Sequence, residues 1–117
     1  MEVKNKMYGS TMFYIDGNEI KDKKYGRTLY YVDDEEVKEG GRYGKVVRYI
    51  DGDEVKDKKY GSTVLYFDFP EVKNKKYGDM RFYIDGEEIK DKKYGKVVMY
   101  VDGRLPMNIL KALLSVY

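Results

Sequence analysis

The sequence predicts a mainly β fold: an antiparallel meander of about 12 short strands from six 17-residue hairpin repeats, with one C-terminal α-helix. Three observations carry this. Tyr-Gly recurs at residues 8, 25, 43, 60, 77 and 94, a spacing of 17 or 18 residues. Between these pairs, runs of β-favouring residues alternate with Asp-Gly and with Lys-rich, Gly-containing junctions. After residue 104 the pattern stops and apolar residues recur at helical spacing. A self-similar period implies stacked copies of one module, and 17 residues is too short for a two-helix repeat. Residues 1–104 are therefore read as the hairpin-repeat domain, and 105–117 as an amphipathic helix packing on the sheet.

The elements follow in order. The opening MEVKNKM matches the second half of a unit (compare Glu71-Val72-Lys73-Asn74-Lys75). In the first full unit, Thr11 to Ile15 favour a strand, Asp16-Gly17 signals a tight hairpin turn, and Glu19-Ile20-Lys21 forms the return. The junction Asp22-Lys23-Lys24-Tyr25-Gly26 carries a Gly suited to a left-handed turn or bulge. The second unit has Asp33-Asp34 at its turn, and its junction Glu39-Gly40-Gly41-Arg42 is one residue longer. The third and fifth units keep Asp-Gly, while the fourth has Asp68-Phe69-Pro70 and needs a different turn. The sixth keeps Asp102-Gly103 and then runs into the tail.

Parity assigns the faces. An Asp-Gly loop would pair Phe13 with Ile20 and Tyr14 with Glu19, and a five-residue loop would pair Ile20 with Thr28. Both place Thr11, Phe13, Ile15 and Ile20 on one face. That aliphatic face continues through Val32, Val37, Ile50, Val55, Phe67, Val72, Ile84, Ile89 and Val101. The opposite face carries Tyr14, Tyr31, Tyr49, Tyr66, Tyr83 and Tyr100 among Glu and Lys.

Left open, twelve strands extend about 55 Å, and twist coils such a sheet into a ribbon or half-pipe. A similarity between alternate units also suits a threefold closed form such as a trefoil. The expectation is the open or strongly curled sheet, because these strands hold too few residues for a tall barrel. In the tail, Pro106 precedes a stripe of Ile109, Leu110, Leu113, Leu114 and Tyr117, with Asn108, Lys111 and Ser115 opposite. Such a helix covers about a third of the aliphatic face. The rest must curl on itself, form a homodimer or meet a partner.

The residue inventory narrows the chemistry. The chain has no His, Cys or Trp, 14 Tyr, and 38% charged residues. Without His or Cys it lacks an imidazole base, a Cys-His pair or a Ser-His-Asp triad. Its serines, Ser10, Ser62 and Ser115, lie outside any nucleophile-elbow pattern. No glycine-rich phosphate loop precedes a helix. The carboxylates fall at repeated turn positions that explain them structurally, and Asp51-Gly52-Asp53-Glu54 lacks the twelve-residue ligand loop of a calcium site. The expectation is no enzyme, no cofactor and no metal. A cysteine-free chain without a signal-peptide pattern or a membrane-length apolar run fits a cytoplasmic location and no membrane partner.

The charges segregate. Alternate turns of a meander share an edge, so Lys23, Lys24, Arg42, Lys58, Lys59, Lys75, Lys76, Lys92 and Lys93 gather into a basic rim. The other edge gathers Asp16, Asp33, Asp34, Glu35, Asp51, Asp53, Asp68, Asp85, Glu87 and Asp102. Charged edges keep a sheet from pairing with its neighbours, and a basic rim also suits an anionic partner. Tyr14 and its five equivalents are candidate partner contacts, although cross-strand packing against Glu and Lys explains them too. The Tyr of each Tyr-Gly is read as a structural plug of its loop.

The pattern Gly-x-x-x-x-Tyr-x-Asp-Gly, an apolar residue and then Lys-Lys-Tyr-Gly, over about residues 8 to 103, resembles MORN-type repeats, including bacterial antitoxin-annotated variants. The units here are shorter and lack that family's Gly-x-Gly and frequent Trp. The resemblance implies an elongated hairpin stack acting as a scaffold or binding surface. The function expected is a non-enzymatic binding or inhibitor protein with a protein partner, of the phage, mobile-element or toxin-neutralising type. Its contact would be the uncovered aliphatic surface or the tyrosine face. The alternatives are nucleic-acid binding through the lysine rim and tyrosines, and a purely structural or designed scaffold.

Overall fold

The computed structural model describes all 117 residues. Six long strands, β2 (Thr11–Asp16), β4 (Thr28–Asp33), β6 (Val46–Asp51), β8 (Thr63–Asp68), β10 (Met80–Asp85) and β12 (Val97–Val101), alternate with six short ones. The short strands are β1 (Glu2–Lys4), β3 (Glu19–Lys21), β5 (Glu36–Glu39), β7 (Glu54–Lys56), β9 (Glu71–Lys73) and β11 (Glu88–Lys90). The chain ends in the helix α1 (Met107–Val116). Twelve antiparallel strands from hairpin repeats and one terminal helix are as the sequence predicts.

The sheet, however, is a closed barrel and not an open or curled ribbon. The reason lies at the chain's ends. The sixth repeat has its long strand β12 but no short strand after it. The opening half-unit supplies the missing piece: β1 pairs with β12 through Val3↔Val101 and Lys4↔Tyr100, and with β2 through Val3↔Phe13. Every edge is thereby paired, which removes the exposed edges an open sheet must protect. The uninterrupted ring of neighbours also excludes the trefoil.

Register fixes the barrel's girth. The inward pairs run Val3↔Phe13, Ile15↔Ile20, Ile20↔Tyr30, Val32↔Val37 and so on to Ile89↔Met99 and Val101↔Val3. Each module advances two residues along its long strand, so six modules stagger the ring by twelve residues over twelve strands. Strand number and stagger in that one-to-one ratio give a tilt of about 36°. At ~4.8 Å per strand the backbone ring is then about 22 Å across. Six-residue strands tilted this way rise about 16 Å. The molecule measures 39 × 35 × 16 Å, so it is a disc whose short dimension is the barrel's height.

The face assignment holds, although the registers differ from those expected. The hairpin turn residues are Gly17-Asn18, with Asp16↔Glu19 as the closing pair, so Ile15 faces Ile20 and Tyr14 faces Lys21. Gly17, Gly52 and Gly86 take φ of +61° to +62°, and Asp34 takes +54° in the same place. These are turns that need a left-handed first residue. On the other side of each short strand, an extra residue bulges out of the long one: Ile20 faces Tyr30 but Lys21 faces Thr28, leaving Leu29 unpaired. This bulge turns Thr11 outward, where its hydroxyl donates to Glu2 Oε2 (3.0 Å), and not into the aliphatic face.

The lumen holds the core and the helix. Val3, Ile20, Val32, Val37, Val55 and Val72 are fully buried with Ala112 and Leu113 of α1. A helix about 10–12 Å thick fills a 22 Å ring with one layer of side chains around it. Ile109, Ala112, Leu113 and Leu114 are buried, while Asn108, Lys111 and Ser115 keep partial exposure. Lys111 donates to Gly52 O (2.6 Å) at the hairpin-turn end. Arg48, on the inner face opposite Val37, donates from Nε to Ser115 O (3.2 Å), a cation at the negative end of the helix dipole. The helix sits towards β4 and β6–β8, which leaves a cleft of about 600 Å³ against β10–β12, lined by Ile84, Ile89, Val101, Leu105 and Leu110.

Leu113→Ala is expected to lower the unfolding free energy by about 2–5 kcal/mol in urea titrations, as for other fully buried leucines. Deleting residues 1–6 unpairs β2 and β12, and light scattering should then report association; a soluble, unchanged monomer would contradict the closure described here.

Candidate functional site: the lysine-tyrosine rim

The six junction loops emerge on one broad face of the disc. Five share one backbone design. In residues 22–27, Asp22 N–H donates to Arg27 O (3.1 Å), Gly26 N–H to Lys23 O (2.9 Å), and Arg27 N–H to Asp22 Oδ1 (2.9 Å). Asn5, Asp57, Asn74 and Asp91 accept the same side-chain bond in their own loops. Asp and Asn interchange there because only an Oδ1 acceptor is required.

The glycine's role differs from the one the sequence suggested. A Cβ on Gly26 would collide with Asp22 Oδ1, so glycine is needed for close approach. The left-handed residue is the tyrosine: Tyr8, Tyr25, Tyr60, Tyr77 and Tyr94 all have φ of +63° to +65°. In the second module Glu39 cannot make the side-chain bond, and its backbone carbonyl lies where the Asp oxygen would be.

These tyrosines are not plugs. Tyr8, Tyr25, Tyr43, Tyr60, Tyr77 and Tyr94 are 89–94% exposed. A lysine ammonium lies beside four of the rings: Lys24 on Tyr25 and Lys93 on Tyr94 at 5.4 Å, Lys59 on Tyr60 and Lys76 on Tyr77 at 5.5 Å. The nine basic-rim residues named from the sequence all lie here and all are exposed. Lys6, Arg27, Lys45 and Lys96 join them. Over residues 5–10, 22–27, 39–45, 57–62, 74–79 and 91–96 the rim carries thirteen Lys or Arg against five Asp or Glu, a net charge of +8. The rest of the chain therefore carries −6, since the whole is +2.

Six of the remaining eight tyrosines have a different setting. Tyr14, Tyr31, Tyr49, Tyr66, Tyr83 and Tyr100 form a half-buried belt around the outside of the barrel. Each stands between a Glu on one neighbouring strand and a Lys on the other, as Tyr31 does between Glu19 and Lys38. The lysines are tied in turn to the hairpin aspartates, Lys21 to Asp16 and Lys56 to Asp51 at 3.1 Å, Lys90 to Asp85 at 3.0 Å. Those hydrogen bonds raise the pKa of the three lysines. Desolvation, followed by donation to Glu35 and Glu87, raises Tyr49 and Tyr100. This outer face is ionic, unlike the apolar band of a membrane-spanning barrel. No helix is long and apolar enough to cross a membrane.

From the sequence, the belt tyrosines are either cross-strand packing or candidate contacts, and the loop tyrosines are plugs. The structure places the belt in a cross-strand ladder and leaves the loop tyrosines bare. Their signal was present: a large aromatic among Lys, Asp and Gly has no apolar neighbour to plug against.

Gly61→Ala displaces the Asp57 cap and should destabilise by about 1 kcal/mol or more, whereas Tyr60→Asn, which suits the left-handed region, should not lower the melting temperature. A raised folded-state pKa contributes stability below the unfolded value that is lost as pH rises through the folded one. The melting temperature should therefore fall once pH passes the ordinary Tyr and Lys values of 10.0 and 10.5, and less so in Tyr49→Phe. Circular-dichroism melts check both. Set against protein-family models, curated proteins and solved structures, the chain has no match in any of the three.

Proposed function

We propose that this protein is a non-enzymatic binding protein whose contact surface is the rim of lysine-tyrosine loops and whose partner is an anionic macromolecule. One observation carries the reading: every loop presents an almost fully exposed tyrosine, five of them in a left-handed conformation. That conformation costs a residue with a Cβ roughly 1–2 kcal/mol, and Gly or Asn would fill it at less expense. The second loop, with a different backbone, still exposes Tyr43. The exposed lysine–ring contacts return only about 0.5–1 kcal/mol, less than the conformation costs, so stability alone does not account for an aromatic at these positions, and binding does.

Charge supports the anionic partner. A face at +8 in a chain at +2 attracts polyanions at long range and repels cations. The aliphatic face is turned into the lumen, where α1 covers much of it and leaves a cleft of about 600 Å³ against β10–β12; the rim, by contrast, presents its side chains outward. A protein partner, in the inhibitor role expected from the sequence, would meet the rim through an acidic surface; tyrosine beside a cation is common in such interfaces.

The wild-type protein should bind heparin at about 50 mM salt, with log K falling against log[salt] at a slope of about −3 or steeper. Replacing Lys58, Lys59, Lys75 and Lys76 by Glu takes the rim to zero charge and should weaken binding at least tenfold by anisotropy. Asp53→Asn, on the opposite face, should leave it unchanged. Absence of heparin binding by the wild type would refute the reading.

A further inference from the structure

We infer that the rim is a closed track for single-stranded nucleic acid, with bases stacked on the loop tyrosines and phosphates held by the adjoining lysines. This deepens the polyanion reading and rests on it.

The first ground is repetition. Six loops recur around one circle, four of them with an ammonium 5.4–5.5 Å from an exposed ring. A partner that engages six copies of one element must itself repeat a planar group and an anion. Single-stranded nucleic acid does so at every residue; a globular acidic protein has no such periodicity. The second ground is the aromatic face. Heparin and polyphosphate need only the lysines, whereas an exposed ring offers a platform to any unpaired base.

Dimensions give the third ground. Successive loops lie two tilted strands apart, at least about 12 Å. A stacked strand advances ~3.4 Å per nucleotide and an extended one about twice that. Each loop then meets about two nucleotides, and the whole circle about a dozen, within the roughly 4–16 that such surfaces occupy. Duplex DNA suits the circle less well: it stays straight over about 500 Å, so it cannot follow the ring of loops, and its stacked base faces are hidden from the tyrosines.

The test uses the full chain, with fluorescein-labelled dT12 and rU12, a dT12-length abasic phosphodiester, a 12-bp duplex, and heparin and poly-Glu as competitors. Anisotropy is read at several salt concentrations. A second protein carries Tyr25→Asn, Tyr60→Asn, Tyr77→Asn and Tyr94→Asn together, substitutions compatible with positive φ; its melting curve is recorded alongside. The inference expects dT12 or rU12 to bind at least tenfold more tightly than the abasic strand and the duplex. The four-fold Asn variant should reduce both to the abasic level with its melting curve unchanged, and Tyr→Phe at the same sites should restore them. Whichever of dT12 and rU12 binds more tightly identifies the sugar preferred. If the abasic strand and heparin bind as well as dT12 and the Asn variant is unimpaired, the single-strand inference falls while the polyanion reading stands. If poly-Glu binds and no oligonucleotide does, the partner is an acidic protein and the inference falls. If nothing anionic binds, both fall.

Discussion

The architecture depends on one three-residue strand. β1 sits between β12 and β2 with Val3 fully buried against both, and this pairing converts a row of hairpins into a ring. Closure then dictates the remainder. It creates an inside, which the isoleucines and valines occupy. It makes the other face an outside, where tyrosine, glutamate and lysine alternate strand by strand. It also sorts the connections into two broad faces of opposite charge, since alternate turns of a meander leave from alternate ends.

Much of this was legible in the sequence for a simple reason. Side chains alternate with period two along a strand, so a pairing wrong by two positions still assigns the correct face. Ile15, Ile20 and Val32 were placed inside and Tyr14 and Tyr31 outside, even though the turn residues are Gly17-Asn18 and not Asp16-Gly17. Thr11 was misplaced because the bulge at Met12 changes parity by one, and nothing in the local composition marks that bulge. Closure was harder to see, because it is a non-local event between residues 3 and 101. Its trace was nonetheless written in the sequence: the chain begins with the half-unit that its last repeat lacks.

The rim was half legible. Charge counting located the lysine rim, since turn positions follow from the meander alone. Cross-strand packing of the belt tyrosines is legible from parity, but the exposure of the loop tyrosines is not, because aromatic residues in strands and in loops carry the same letter. Only burial separates the belt, where Tyr49 and Tyr100 hydrogen-bond to Glu35 and Glu87, from the rim, where Tyr60 meets little but Lys59. The glycine after each rim tyrosine likewise serves a neighbour, leaving room for a carboxylate or amide oxygen to fasten the loop. The rim residues thus stand on stiff supports.

The packing of α1 on β4 and β6–β8 also bears on how many repeats the chain can tolerate. Adding or losing one hairpin changes the circumference by a sixth, which alters the diameter by about 4 Å. The helix would then lose part of its packing on β4 and β6–β8 or be pressed into it, since dispersion contacts fade over less than an ångström. A seventh or a missing module would therefore cost the tail some of its contacts.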